Sequence, residues 1–232
     1  MTDRFTVYDI FAVLVPGVLI SSLLVTTTKR LAGLNILDWT GGFGDAALLV
    51  IAGYAVGTLL QALGHLFFGQ IQKWQGKGWR MTQILIDDTN VLTTEMQTQV
   101  VRALQDKYGD LPPRDQDATY RKRLEEMAYQ AIKEARRFDP LTERFQAENH
   151  QMRALVVGFF LLTLVALVSP FGDASHSWWT YVAAGATYAG LCALTFWRMK
   201  DKDDTFAKHV YVVFINEYGG KKKQMALSGA DA

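Results

Sequence analysis

Arg144 and His150 are a pair whose types could act together on a phosphate: a fixed cation and an imidazole able to move a proton near neutral pH. They stand six positions apart. On a helix, at about 100° per residue, they point roughly 120° away from one another, so they converge on one phosphate only if the helix breaks between them. Gln61 and His65 form a second constellation. They continue a four-residue repeat begun by Gly53 and Gly57, inside a run free of charged residues, so all four share one helix face. Two readings stay open for polar groups at that depth: hydrogen bonds between helices, or the lining of an ion or proton path. Asp87-Asp88 and Asp110 could hold a divalent ion, yet acids beside turns more often cap them.

The remaining chemistry is sparse. His65, His150, His176 and His209 are scattered and Cys192 is the only cysteine, so neither a zinc ligand set nor a disulfide within the chain is expected. No nucleophile elbow, Walker loop or dinucleotide fingerprint occurs, and the chain reads as a non-enzyme without metal or cofactor. The stretch from Lys73 to Arg80 alternates bases, glycines and tryptophans. A phosphate loop would need a strand before it and a helix after it. The simpler reading is a belt at the membrane surface, anchored by Trp74, Trp79 and Arg80, with Trp197 and Arg198 doing the same later in the chain.

What must position these groups is a set of apolar runs. Ile10–Thr28, Ala46–Phe68, Ala154–Phe171 and Trp178–Trp197 contain no Lys, Arg, Asp or Glu. A bilayer core about 30 Å thick takes a helix of about 20 apolar residues, and a soluble helix that is apolar all round is unusual at that length. The predicted fold class is all-α and integral membrane: four transmembrane helices, with a cytoplasmic helical domain inserted between the second and third. Of the 24 Lys and Arg, 14 fall in Gly69–Arg153 and 7 from Arg198 onward, which places the N-terminus, that domain and the tail in the cytoplasm. Lys29 and Arg30 dissent. A cleaved signal peptide is the alternative for the first run, but Arg4 is offset by Asp3 and Asp9, and no small-residue cleavage site follows.

The layout follows from these boundaries. Residues 1–68 form a hairpin with spans at about 10–28 and 46–68; 69–153 form the cytoplasmic domain; 154–197 form a hairpin with spans at about 154–171 and 178–197. Residues 198–232 are an amphipathic helix and a flexible tail. Asp9 is read as the cap of the first span, and Pro16-Gly17 as a kink whose freed carbonyl must find another donor. The cytoplasmic domain reads as helices. A strand or a helical turn stays open for Ile84–Ile86, Thr94 with Gln97 reads as a capping box, and Gly109 as a helix stop. Asp139-Pro140 restarts a helix that has no breaker before Ser169. The third span is bulky, as suits a lipid-facing helix. The fourth carries a small-residue face, Ala183, Ala186 and Gly190, suited to close packing. Gly69–Arg153 holds 14 bases against 13 acids, so direct nucleic-acid binding is not expected.

Two resemblances follow from these residues. Arg144-Phe-Gln-Ala-Glu-Asn-His150 resembles the R-x(4–6)-H spacing of HEPN-type ribonucleases. Thr6-Val7-Tyr8-Asp9-Ile10-Phe11, with Pro16-Gly17 after it, resembles the start of small uncharacterised bacterial inner-membrane proteins with four spans, several of them found near anti-phage defence systems. That second resemblance implies a helical insertion after the second span, a helix entering the third through Arg144 or Arg153, and gating by a nucleotide signal or a protein partner. It transfers no catalytic residue. The expectation is a homo-oligomer in contact with membrane lipids, packed through the second and fourth spans and acting as a signal-gated, channel-like effector. A non-conducting anchor or sensor for a soluble cytoplasmic partner is the alternative reading, and a membrane-associated ribonuclease the third.

Overall fold

Pro16 has no N–H to give to the residue four before it, yet helix α1 continues past it over Val7–Ala32. The computed structural model describes residues 7–32, 43–74, 80–86, 90–114, 117–169 and 177–228. Among these all regular structure is helical: α2 (Phe43–Trp74), α3 (Arg80–Ile86), α4 (Thr94–Tyr108), α5 (Asp117–Phe138), α6 (Leu141–Val168) and α7 (Trp178–Ser228). Among the described residues, three helices are long and apolar enough to cross a membrane, over Ile10–Thr28, Gly44–Gln70 and Leu141–Val168. The first part of α7 is less apolar than these, because Trp178, Trp179, Thr180, Tyr181 and a scatter of small residues dilute its aliphatic content.

The chain divides into two compact units, Met1–Gly69 with Ala147–Lys200, and Gln70–Gln146 with Asp201–Ala232. In the first, Ile20, Leu60, Phe68, Ala154, Val157 and Leu162 meet in one core, with Met199 of α7 against it. A smaller cluster joins Ala166 to Tyr181, with Ala184 and Tyr188 alongside. α6 supplies most of this core, so only part of the bulky third span is free to face lipid. Phe159 and Leu162 are buried while Phe160, Leu161, Leu164 and Leu167 are exposed. The reason is Gly158: a Cβ there would run into the Ile20 side chain, so its absence lets α1 and α6 close together.

In the second unit, α3, α4, α5 and the end of α7 surround a core that includes Ile84, Val100, Leu104, Leu124, Met127, Val210, Tyr211 and Phe214. Local punctuation explains the helices. Ile84–Ile86 is helical, as part of α3. The cap of α4 is Thr93, one residue before the expected Thr94: its Oγ1 accepts from Met96 N at 3.3 Å. Gln97 Nε2 donates to Ile84 O at 2.7 Å and ties α4 to α3. Gly109 stops α4 with φ 95°, a backbone angle that disfavours any side chain. Asp139 caps α6, with Oδ1 accepting from Leu141 N at 2.9 Å. The tail is not a separate helix. α7 is one helix of 51 residues, because nothing between Arg198 and Tyr218 breaks it and even Gly219-Gly220 stays helical.

Candidate functional site

The most specific polar contact inside an apolar helix follows from Pro16. Ala12 O is the carbonyl that loses its helix donor to that proline, and Gln61 Nε2 of α2 donates to it at 3.2 Å. Gln61 thus closes the gap that Pro16 opens. Around this bond the two backbones touch. A Cβ on Gly57 would overlap Val13 O, one on Gly53 would overlap Val18, and one on Gly17 would overlap Gly53 O. The Gly53–Gly57 stripe is therefore consumed by α1 of the same chain, and is not left open for another copy. Three α1 hydroxyls are spent within the helix: Ser22, Thr26 and Thr28 each donate to the carbonyl four residues back at 2.8 Å. Thr27 instead pairs with the Tyr188 hydroxyl of α7 at 2.5 Å.

His65 leaves this face for another neighbour. Its ring lies 5.1 Å from that of His150 on α6, tilted by 53°. Beside them Arg153 packs where α2 has no side chain, its Cβ 3.6 Å from the position a Cβ would take on Gly64, and its guanidinium carbon lies 6.0 Å from the Phe68 ring. Arg144 is not part of this group. α6 is unbroken from Leu141 to Val168, so Arg144 and His150 stay on different faces, as an intact helix dictates. The condition for a ribonuclease-like pair, a break between them, is not met.

Other expected site residues fall elsewhere. Ala183, Ala186 and Gly190 are exposed, with open space where a Gly190 Cβ would go. Within the chain, α7 packs through Tyr181, Ala184, Tyr188 and Cys192 instead, and Cys192 Sγ approaches Val156 O at 3.5 Å. Trp197 is 71 % exposed and Arg198 exposed beside it. Arg80, expected as a surface anchor, pairs through Nε with Asp204 Oδ1 at 2.7 Å. Asp9 lies within α1, two residues after its first residue, so it is not the helix cap. Trp79 and Asp87-Asp88 lie outside the described residues, as do the side chains of Asp9 and Trp74.

The second unit holds a polar and aromatic cluster that composition did not single out. Tyr218 donates to Glu134 Oε2 at 2.8 Å, and Lys107 sits 3.4 Å from Glu134 Oε1 and 3.4 Å above the Tyr218 ring. That hydrogen bond, aided by Lys107 and Arg137, holds the Glu134 carboxyl below its ordinary range against the opposing effect of burial. Burial, then the nearby Glu134 and Tyr218, pushes the Tyr108 phenol up. Tyr211 is wholly buried and donates to Met81 O at 3.0 Å; burial raises it too. His209 Nε2 stands 3.0 Å from Asp139 Oδ2, beside the cap of α6. The signal for this cluster was present in the i, i+4 register of Phe214 and Tyr218, but its partners on α4 and α5 are remote in sequence. Comparison with protein-family models, curated proteins and solved structures finds no match.

Proposed function

We propose that the chain crosses a bacterial inner membrane four times and tethers the α3–α5 bundle, with the end of α7, in the cytoplasm as a non-conducting anchor or sensor for a soluble partner. One observation carries this reading. Phe206, Val210, Tyr211 and Phe214 share a core with α3, α4 and α5, while α6, long and apolar enough to cross a membrane, lies between them in sequence. If α6 crosses, the first part of α7 must cross back for that core to form. Trp178–Trp197, free of charged residues, is the run available to do so. The basic residues of Gly69–Arg153 and of the tail support a cytoplasmic side for the bundle.

The non-conducting part rests on how the polar groups are used. A path through the membrane would draw on Gln61 and the Gly53–Gly57 stripe, and both are engaged in closing α1 on α2. Protein reconstituted in liposomes under a potassium gradient should leave the gradient intact; an ion flux that Gln61→Leu abolishes would overturn this reading. A second reading is favoured by the exposed face of Ala183, Ala186 and Gly190, small enough for copies of the chain to pack closely. It is an oligomeric, channel-like effector, gated by a nucleotide signal or a partner, as the resemblance to defence-associated membrane proteins implies. The mass of the detergent-solubilised complex separates the two: a closed assembly of four or more copies favours the effector, a monomer or dimer retaining a soluble protein the anchor.

A further inference from the structure

His65, His150 and Arg153 are brought together by two helices at one level of the first unit. His65 lies three residues before the apolar stretch of α2 ends at Phe68, and Arg153 directly precedes the charge-free run of α6. On the membrane-spanning reading, on which this inference rests, that level is where lipid headgroups sit. The arrangement is built rather than incidental to a flexible surface. Arg153 packs on α2 beside Gly64, at van der Waals distance from where a Cβ would stand there, and its guanidinium carbon lies 6.0 Å from the Phe68 ring. His150 and Arg153 are one turn apart on α6 and only half-buried, and His65 is exposed.

We propose that His65, His150 and Arg153 form a phosphate site at headgroup level, suited to the phosphodiester of an anionic lipid. A guanidinium offers a fork of N–H donors matched to phosphate oxygens, and each imidazole adds an N–H. The two rings lie 5.1 Å apart, close enough for both imidazoles to reach the oxygens of one anion beside them. Arg153, one turn from His150 on α6, adds a permanent positive charge to the cluster. It favours an anion there and opposes a divalent metal on the same two rings. No covalent step is involved; the site holds and orients its ligand.

Binding is read by native mass spectrometry of the full chain in detergent, titrated separately with phosphatidylglycerol, phosphatidylethanolamine and inorganic phosphate. Phosphatidylglycerol should be retained over phosphatidylethanolamine, and retention should fall about tenfold in the His65→Leu/His150→Leu pair and in Arg153→Leu, the scale of one charge-assisted hydrogen bond. Arg153→Lys, which keeps the charge and is the gentler change, should lose less. Lys208→Ala, at an exposed basic residue of the second unit, should lose nothing. Inorganic phosphate competing with the lipid in the wild type alone would show that the site reads the phosphate itself; lipid binding without such competition would show that it needs the diacyl anchor. Equal retention of phosphatidylglycerol by all variants overturns the site, as does stabilisation by zinc that the same His pair abolishes. Carbonate extraction of membranes tests the membrane-spanning reading on its own, so its failure is distinguishable from failure of the site.

Discussion

Pro16 and Gln61 show how one residue's defect sets another residue's role. Forty-five positions separate them in sequence, and the structure links them through a third, Ala12, whose carbonyl lacks its helix donor. Gln61→Leu should therefore cost about 1 kcal/mol of stability in detergent unfolding, the usual net worth of a hydrogen bond, or somewhat less between membrane helices. In a Pro16→Ala background the Ala12 carbonyl regains a backbone donor. There the same Gln61→Leu change should be close to neutral, and the difference between the two backgrounds is the coupling. Equal costs in both would sever the link. Glu134 makes a residue-scale prediction of a different kind. Its folded carboxyl titrates below the unfolded one, first because Tyr218 donates to it, so its contribution is present above the unfolded value near 4.5 and is lost as pH falls through the lower folded value. Unfolding followed from pH 7 to pH 3 should show an acid limb that flattens in Glu134→Gln; an unchanged limb would assign the loss to other carboxylates.

Elements explain why some of this was legible in the sequence and some was not. Charge-free length marks three helices that meet the membrane criterion, and the helix stop at Gly109 and restart at Asp139 could be read directly, because caps and spans are local or cumulative signals. The end of α7 was legible as an amphipathic stripe, but its continuity with Trp178–Trp197 was not, since a dense run of charged residues resembles a boundary while breaking no helix. The partner of a small-residue stripe is hidden for a similar reason. Gly53–Gly57 and Ala183–Ala186–Gly190 look alike in sequence, yet α1 covers the first and no described residue lies within 4 Å of where a Gly190 Cβ would stand. Replacements should separate them. Gly57→Ala would force Cβ onto the Val13 carbonyl, which a backbone cannot yield cheaply, and should cost about 1–3 kcal/mol or more. Gly190→Ala meets open space and should stabilise α7 by about 0.5–1 kcal/mol through helix propensity alone. A stabilised Gly190→Ala chain that also loses oligomer mass would instead place that face between copies. In the second unit, Phe214→Ala removes a ring that is 1 % exposed and stacked near Tyr108 and Tyr218. A loss of about 3–5 kcal/mol is expected, read as protease sensitivity of α7 beyond Lys200.

Across the whole molecule, the number of crossings follows from parity rather than from the apolarity of any single helix. Asp110 follows α4 and Lys208 lies on α7, and the elements that carry them share one core, so both residues must face the same compartment. Ser177 lies between α6 and α7. On the proposed four-span reading, in which α6 crosses outward and α7 returns, Ser177 faces the opposite compartment. The lower apolarity of Trp178–Trp197 is then tolerable, because Tyr181, Tyr188 and Cys192 turn toward α1 and α6 and the Tyr188 hydroxyl is satisfied by Thr27. Single cysteines introduced at Asp110, Ser177 and Lys208 in a Cys192→Ala background, each exposed, test this with a membrane-impermeant maleimide. In intact spheroplasts Ser177→Cys should label, while Asp110→Cys and Lys208→Cys should label only after lysis. If Lys208→Cys labels from outside while Asp110→Cys does not, α7 does not return, three crossings remain, and the core joining α7 to α3–α5 cannot exist in the membrane. If all three label from the same side, α6 does not cross, and the membrane contacts reduce to the α1–α2 hairpin that Pro16 and Gln61 hold together.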